Sequence, residues 1–397
     1  MQEFAPSETN MWEKPLKEPR PDAPDEEINA KYSKRVLRIV TESNREQLPN
    51  FVDALKRQNW MELRPFYQRR PRWDAVRQSK LIESFIMNVP VPPLFVYESD
   101  LAKYEVMDGQ QRITAIWDFY TNKLTLTGLE QWPELNGRIY DTLPSEIRKG
   151  LDRRSVSYIV LLKESAATSE EEALLRQEVF ERLNTGGVKL SYQEIRNALY
   201  PSKFNGLLFE LVKNGKFRRI WKLPAYSESA EKLRAKELLT NATYVLMRDV
   251  EFVLRFFALR HVEHYRRGMK GFLDVYMIRA RTFTDQDILI LRQVFEQTVD
   301  LGWSIYGELL GRPWEVSRGE WSGSAQLAFA DAVLVGLSSH LDREGVLVAN
   351  RDAIVADTQR LFVSNPPGTF TGRANTKKDV EERIRLYGEM LEKHLGQ

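Results

Sequence analysis

The sequence predicts an α/β domain followed by an all-helical region, and three observations carry that prediction. From about residue 35 to 163, short β-rich runs alternate with helix-like runs, the pattern of a sheet with helices packed on it. After residue 168 the β signal fades and long amphipathic segments take over. At 397 residues, 42% of them hydrophobic and nine of them Trp, the chain is long enough to bury two cores.

Residues 1–30 carry eight acidic side chains against three basic ones, with Pro6, Pro15, Pro19, Pro21 and Pro24 among them and few aliphatics. That composition predicts a disordered or loosely draped tail. The α/β domain is expected over residues 31–167. It opens with a strand at VLRIV (36–40), a helix over 45–58, a strand in WMELRP and a helix in WDAVRQSKLIESFIMNV (73–89). VPVPP, residues 89–93, cannot continue that helix and separates it from the strand-like LFVY. YEVM follows as a strand, then a helix from Gly109 to about Thr121, then the strand SVSYIVLL. The helical domain is expected over 168–397, with amphipathic runs at 169–183, 191–200, 230–260, 285–307, 324–340, 350–363 and 376–394. Two begin with capping boxes, Ser169 with Glu172 and Ser191 with Glu194.

Composition also excludes several kinds of chemistry. With no Cys there is no disulfide, no thiolate metal cage and no thiol nucleophile. Four His, of which only His261 and His264 lie close together, leave little for zinc, so any metal would sit on carboxylates, as Mg²⁺ prefers. No apolar run reaches a membrane span, and the acidic, Pro-dotted N-terminus lacks a secretory layout; a cytoplasmic location with no membrane partner is the expectation. The tail's local −5 within a net +2 leaves +7 on the rest, a mildly basic body compatible with a polyanionic partner.

The stretch YEVMDGQQRIT, residues 104–114, concentrates the unusual choices. It reads as a strand, a turn at Gly109, and a helix whose apolar face is Ile113, Ile116, Trp117 and Tyr120. Gly tolerates positive φ and lets a ligand near the backbone, while the first-turn N–H groups present partial positive charge to an anion. Arg112 can close its planar fork on a phosphate, with Gln110 and Gln111 offering amide donors alongside. The same residues also fit a purely structural junction, in which Asp108 caps the helix and Arg112 pairs with a carboxylate such as Glu83. No G-x-x-x-x-G-K-[ST] or G-x-G-x-x-G follows a strand, so a nucleotide bound here is bound without a Walker loop.

The company of this stretch adds to it. RPFYQRRPRW and LIESFIMNVPVPPLFVY stand upstream; FERLNTGGVKLSYQEIRNALY and RDVEFVLRFFALRHVEHYRRGMKGFLDVYM stand downstream. Taken in order with DGQQR, these blocks resemble the N-terminal-domain family of GmrSD-type modification-dependent restriction endonucleases, from about residue 35 to 280 and more weakly to the C-terminus. The resemblance implies a ParB/sulfiredoxin-like fold, a place in bacterial restriction or anti-phage defence, and binding and hydrolysis of a nucleoside triphosphate coupled to sensing DNA. It carries Asp108, Gly109, Gln110, Gln111 and Arg112 over directly, Gln68 and Arg69 as an upstream Gln-Arg pair, and Arg182, Asn184, Gly186 and Gly187 as an R-x-N-x-G-G block. Asn184 and the Gly pair equally fit a plain helix stop ahead of the capped helix at Ser191. Two departures stand out. The absence of Cys excludes sulfiredoxin chemistry, and no His-Asn-His nuclease set stands in the C-terminal half, where His340 and His394 are isolated.

Basic residues form two further groups. Arg64, Arg69, Arg70, Arg72, Arg77 and Lys80 crowd a span with Phe66, Tyr67 and Trp73, a pairing of cations with stacking rings suited to DNA. Arg255, Arg260, Arg266, Arg267 and Lys270 surround HVEHY. Charge clusters are also commonly solvated faces. The leading expectation is a triphosphatase of a defence system, with Arg112 clamping phosphate, Gly109 and the helix start cradling it, and Asp108 holding Mg²⁺ through water or orienting the attacking water. The alternatives are a DNA-binding specificity module that delivers a separate nuclease chain, and a metal-dependent endonuclease in its own right. Which nucleotide and which oligomeric state are not legible in the sequence.

Overall fold

The computed structural model describes residues 4–13, 24–33, 41–57, 61–62, 73–101, 103–162, 173, 177–179, 181–182, 190–232, 235–372 and 376–395. They divide into two compact units, Pro19–Leu190 and Met1–Glu18 with Ser191–Gln397.

The first unit is built on a five-stranded sheet of order β1-β5-β3-β4-β2, with β1 at Thr41–Gln47, β2 at Met61–Glu62, β3 at Leu94–Asp100, β4 at Lys103–Asp108 and β5 at Ser155–Leu161. β3 and β4 form an antiparallel hairpin, β5 runs parallel to β3, β2 parallel to β4, and β1 antiparallel to β5. Helices α1 (Leu48–Lys56), α2 (Ala75–Ile86), α3 (Gln110–Tyr120) and α4 (Ser145–Asp152) belong to this unit. Their apolar faces and the sheet close one core, in which Phe51, Ile82, Leu94, Val96, Ile113, Ile116 and Phe119 are fully buried. α2 starts where the Asp74 carboxylate accepts the Arg77 N–H at 2.8 Å, a cap worth about 1 kcal/mol. It ends at Ile86, and Asn88, at φ 58°, turns the chain into the Pro-rich link.

Two local expectations are corrected here. β1 is a strand, TESNREQ, that the sequence did not announce, while VLRIV lies outside the described residues. β1 is a sheet edge and exposed almost throughout, so no apolar alternation marks it. The helix expected from 45 begins at Leu48, because the strand runs to Gln47 and Pro49 sits in the first helical turn.

The second unit is mainly helical: α5 (Tyr192–Leu199), α6 (Lys203–Leu211), α7 (Arg248–Leu259), α8 (Gly268–Arg279), α9 (Asp285–Tyr306), α10 (Leu327–Ser338), α11 (Arg351–Ser364) and α12 (Lys377–Glu392). α10 is buried from Ala328 to Ser338 and packs against α7, α9 and α12. The Ser191 capping box is present, with Glu194 Oε2 accepting the Ser191 N–H at 2.7 Å; the Ser169 one lies outside the described residues. The run expected over 230–260 is not one helix. Short helices at Glu228–Lys232, Lys236–Thr240 and Ala242–Val245 precede α7, which starts after Met247 at φ 52°. Nor is the unit purely helical: Trp314–Glu315 pairs with Glu320–Trp321, the two Trp rings meeting edge to face at 5.5 Å.

Residues 4–13 also depart from expectation. Instead of a loose tail, Pro6–Asn10 forms a helical turn within the helical unit, and Glu8 is fully buried. Its carboxylate accepts from the Tyr276 hydroxyl at 2.8 Å and lies 3.0 Å from His261 Nε2 and 3.4 Å from Arg260 Nη1. Arg279 donates to the Met11 carbonyl at 2.7 Å, and Trp12 stacks on His264 at 4.7 Å. An acidic residue that reads as solvated tail is here the counter-ion of a buried arginine. No described helix is long and apolar enough to cross a membrane.

Candidate functional site

The β3–β4 hairpin brings Asp108 to the end of β4, opposite Phe95, and Gly109 turns the chain straight into α3. Gly109 has φ 98°, which L side chains rarely adopt. A Cβ there would stand 2.3 Å from Leu94 Cδ2 and 3.2 Å from Arg112 Nη2. The glycine is therefore demanded by the turn and by its neighbours. Leu94 and the guanidinium occupy the space that a side chain there would take.

Arg112 Nη2 donates to Asp108 Oδ2 at 2.6 Å, and Nη1 donates to the carbonyls of Pro92 and, at 3.2 Å, Pro93. The Arg112 side chain is 13% exposed and that of Asp108 40%. Burial pulls the Arg112 pKa below its ordinary value while the Asp108 carboxylate opposes the fall; the group stays a cation at neutral pH. Glu83, a suggested partner for Arg112, instead accepts the N–H groups of Gln131 and Trp132 at 2.8 and 3.0 Å. Nor does Asp108 cap α3: the N-cap is Gly109, and no side chain caps the helix. The first-turn N–H groups, which have no partner within a helix, are left to other acceptors. Gln110 and Gln111 are half-buried beside them, Gln111 Oε1 accepting the Trp73 N–H at 3.4 Å. The Pro92 and Pro93 carbonyls were missed by sequence reasoning; a Pro pair just before a strand was the signal.

Of the other expected site residues, Gln68, Arg69, Asn184, Gly186 and Gly187 lie outside the described residues, as do Arg64, Arg70 and Arg72. Arg182 is on a helix surface, its guanidinium 2.7 Å from Glu178. Arg266 and Arg267 are exposed, and Lys270 holds its ammonium 4.9 Å over the Tyr192 ring. Arg255 and Arg260, which the sequence groups with them, are core residues: Arg255 donates to Asp331 at 3.1 Å and Arg260 faces Glu8. Among the described residues no group of three His, Asp or Glu could hold a metal ion. Asp108 is a single carboxylate bonded to Arg112 and does not by itself make a Mg²⁺ site.

These features define a mixed α/β unit, with an arginine and an uncapped helix start at one strand end, joined in sequence to a helical unit. Residues 16–201 match the family model described as GmrSD restriction endonuclease, N-terminal domain, and that stretch of the chain is a member of the family. No curated protein and no solved structure matches the chain.

Proposed function

We propose that the α/β unit binds the phosphates of a nucleoside triphosphate at the Asp108–Arg112 junction, hydrolyses it, and serves a bacterial DNA restriction or anti-phage defence system. The system is what the family's name describes. The observation that carries the site is an uncapped helix start with a guanidinium held beside it. In the resting state Arg112 is bonded to Asp108; an incoming phosphate competes for the same Nη2 and takes over the fork. Asp108, released by the exchange, orients the water that attacks the terminal phosphorus. The resemblance adds Arg182 as a further phosphate contact in this reading, with Gln68, Arg69, Asn184, Gly186 and Gly187, which lie outside the described residues. A ParB/sulfiredoxin-like reading of the sheet is supported by the order of the motifs and by the strand–glycine–helix junction at DGQQR.

A second reading has one observation in its favour. Arg112 already satisfies three acceptors, as a structural junction would, which leaves the unit as a DNA-binding module that delivers a separate nuclease chain. Titration calorimetry of the full chain with each of the four common triphosphates and Mg²⁺ separates the two. Under the exchange reading Arg112→Ala loses more than about tenfold in affinity, whereas Asp108→Asn binds more tightly, its competitor gone, and turns over less. Salt-sensitive DNA binding with no triphosphate uptake would leave the module reading standing.

A further inference from the structure

A shallow cavity of about 430 Å³ in the helical unit is lined by Tyr265, Arg266, Arg267, Gly268, Thr376 and Lys377. Its cations come from two separate stretches of chain, and the fold brings them together by a specific tie: Lys377 donates to the Glu263 carbonyl at 2.8 Å, fixing the start of α12 to the turn before α8. Tyr265, 3% exposed, closes the floor. Arg266 donates to the Tyr265 carbonyl at 2.9 Å, which holds its guanidinium at the rim.

Arg267 is placed with equal care. It takes φ 61°, Gly268 follows at 67°, and α8 starts from that turn. One helical turn later stands Gly271, where a Cβ would lie 2.5 Å from the Arg267 Cβ. The missing side chain at 271 is what lets Arg267 lie against the helix. Among the described residues, Asp379 accepts the Thr376 N–H at 3.0 Å in the capping box of α12, and Glu263 lies 3.5 Å from His264 Nε2. Glu381 stands 3.3 Å from the Lys377 ammonium in an exposed pair one turn apart, the kind that a better anion displaces readily.

We propose that this cleft grips the phosphodiester backbone of DNA. Arginine forks and a lysine converging from two segments suit phosphate oxygens. A shallow, one-sided cleft does not enclose a small ligand, but a backbone running past needs donors on one side only. Such contacts carry no sequence information and hold the duplex in register for whatever reads or cuts it. The inference rests on the reading of the chain as one that acts on DNA.

The test is fluorescence anisotropy of the full chain with a labelled unmodified duplex, from low to physiological salt. It compares wild type with Arg266→Ala, Arg267→Ala, Lys377→Ala and the three combined. A control removes the same charge from exposed positions of the same unit, Arg318→Ala, Arg351→Ala and Arg360→Ala together. Each single change weakens binding by roughly fivefold and lowers the slope of log affinity against log salt by about one; the triple lowers it by about three, the control by much less. Gly271→Ala, which keeps every charge but pushes Arg267 aside, weakens binding as Arg267→Ala does. A triple variant that matches the control while wild type binds DNA overturns the cleft and spares the DNA reading. A wild type that binds no duplex overturns both. Inorganic phosphate and ATP, run as competitors, distinguish the source: a triple variant that loses only these and keeps DNA makes the cleft a small-anion site and overturns the proposal.

Discussion

Arg112 and Asp108 face each other across Gly109 at 2.6 Å, so the one cation of the DGQQR motif is bonded to its one anion. The motif is thereby self-neutralised at rest, and an anion drawn to Nη2 of Arg112 competes with Asp108 for it. Arg112 also holds the two proline carbonyls that lead into β3. With the side chain mostly buried on three acceptors, Arg112→Ala should lose about 1–3 kcal/mol of stability along with its phosphate affinity. Arg112→Lys, which keeps the charge without the fork, should fall between the two. Urea melts paired with calorimetry check this; a wild-type melt for Arg112→Ala would mean that the carbonyl bonds contribute nothing.

Gly109→Val should be the worse lesion. It forces a β-branched side chain to φ 98° and drives its Cβ into Leu94, costing about 3 kcal/mol or more. Leu94→Ala in the same chain should recover part of that loss by removing the clashing methyl while the backbone strain remains. Additive losses in the double variant would show that Leu94 does not fill the space over Gly109.

What the sequence made legible follows the physics of burial. β3, β4, β5, α2 and α3 pack apolar faces into one core, and each wrote its period into the chain. β1 wrote none, because an exposed polar edge has no face to mark. At the site, the strand–glycine–helix junction could be read from residue types alone. The partner of Arg112 could not: Asp108 and Glu83 were both compatible with the spacing, and the fold commits Glu83 to the Gln131 and Trp132 N–H groups and leaves Asp108 to the guanidinium. Glu8 was misread for the same reason, since a carboxylate signals solvent unless its partners, which lie more than two hundred residues away in the chain, are known.

The buried Glu8 carries a pH dependence. Burial alone would raise its pKa, but the nearby His261 ring, the Arg260 charge and the Tyr276 hydroxyl outweigh that and hold it below the ordinary 4.5. The folded state therefore binds this proton less well than the unfolded one. The stability it contributes is complete above pH 4.5 and is lost as pH falls through the depressed folded value. Glu8→Gln leaves Arg260 without that carboxylate and should cost about 3 kcal/mol at neutral pH. It should also flatten the acid limb of a plot of stability against pH. An acid limb unchanged in Glu8→Gln would assign that loss to other carboxylates.

Hydrolysis of a phosphodiester by metal ions needs converging ligands and a positioned water. Among the described residues no three His, Asp or Glu converge, and Asp108 stands bonded to Arg112. The four His do not assemble such a site either: His261 lies against Glu8, His394 Nε2 meets Asp357 at 2.9 Å, and burial lowers the pKa of both His264 and His340. The purified chain should therefore turn over nucleotide yet leave unmodified supercoiled plasmid essentially intact with Mg²⁺ or Mn²⁺, with or without triphosphate. Cutting should require a partner chain or a modified substrate that reorganises the junction. The comparison is wild type against Asp108→Ala and Arg112→Ala. Robust nicking by wild type that vanishes in Asp108→Ala would make the DGQQR junction itself a nuclease centre, with the carboxylate freed from Arg112 as its metal ligand. Nicking that survives both substitutions would instead locate the chemistry in a different part of the chain.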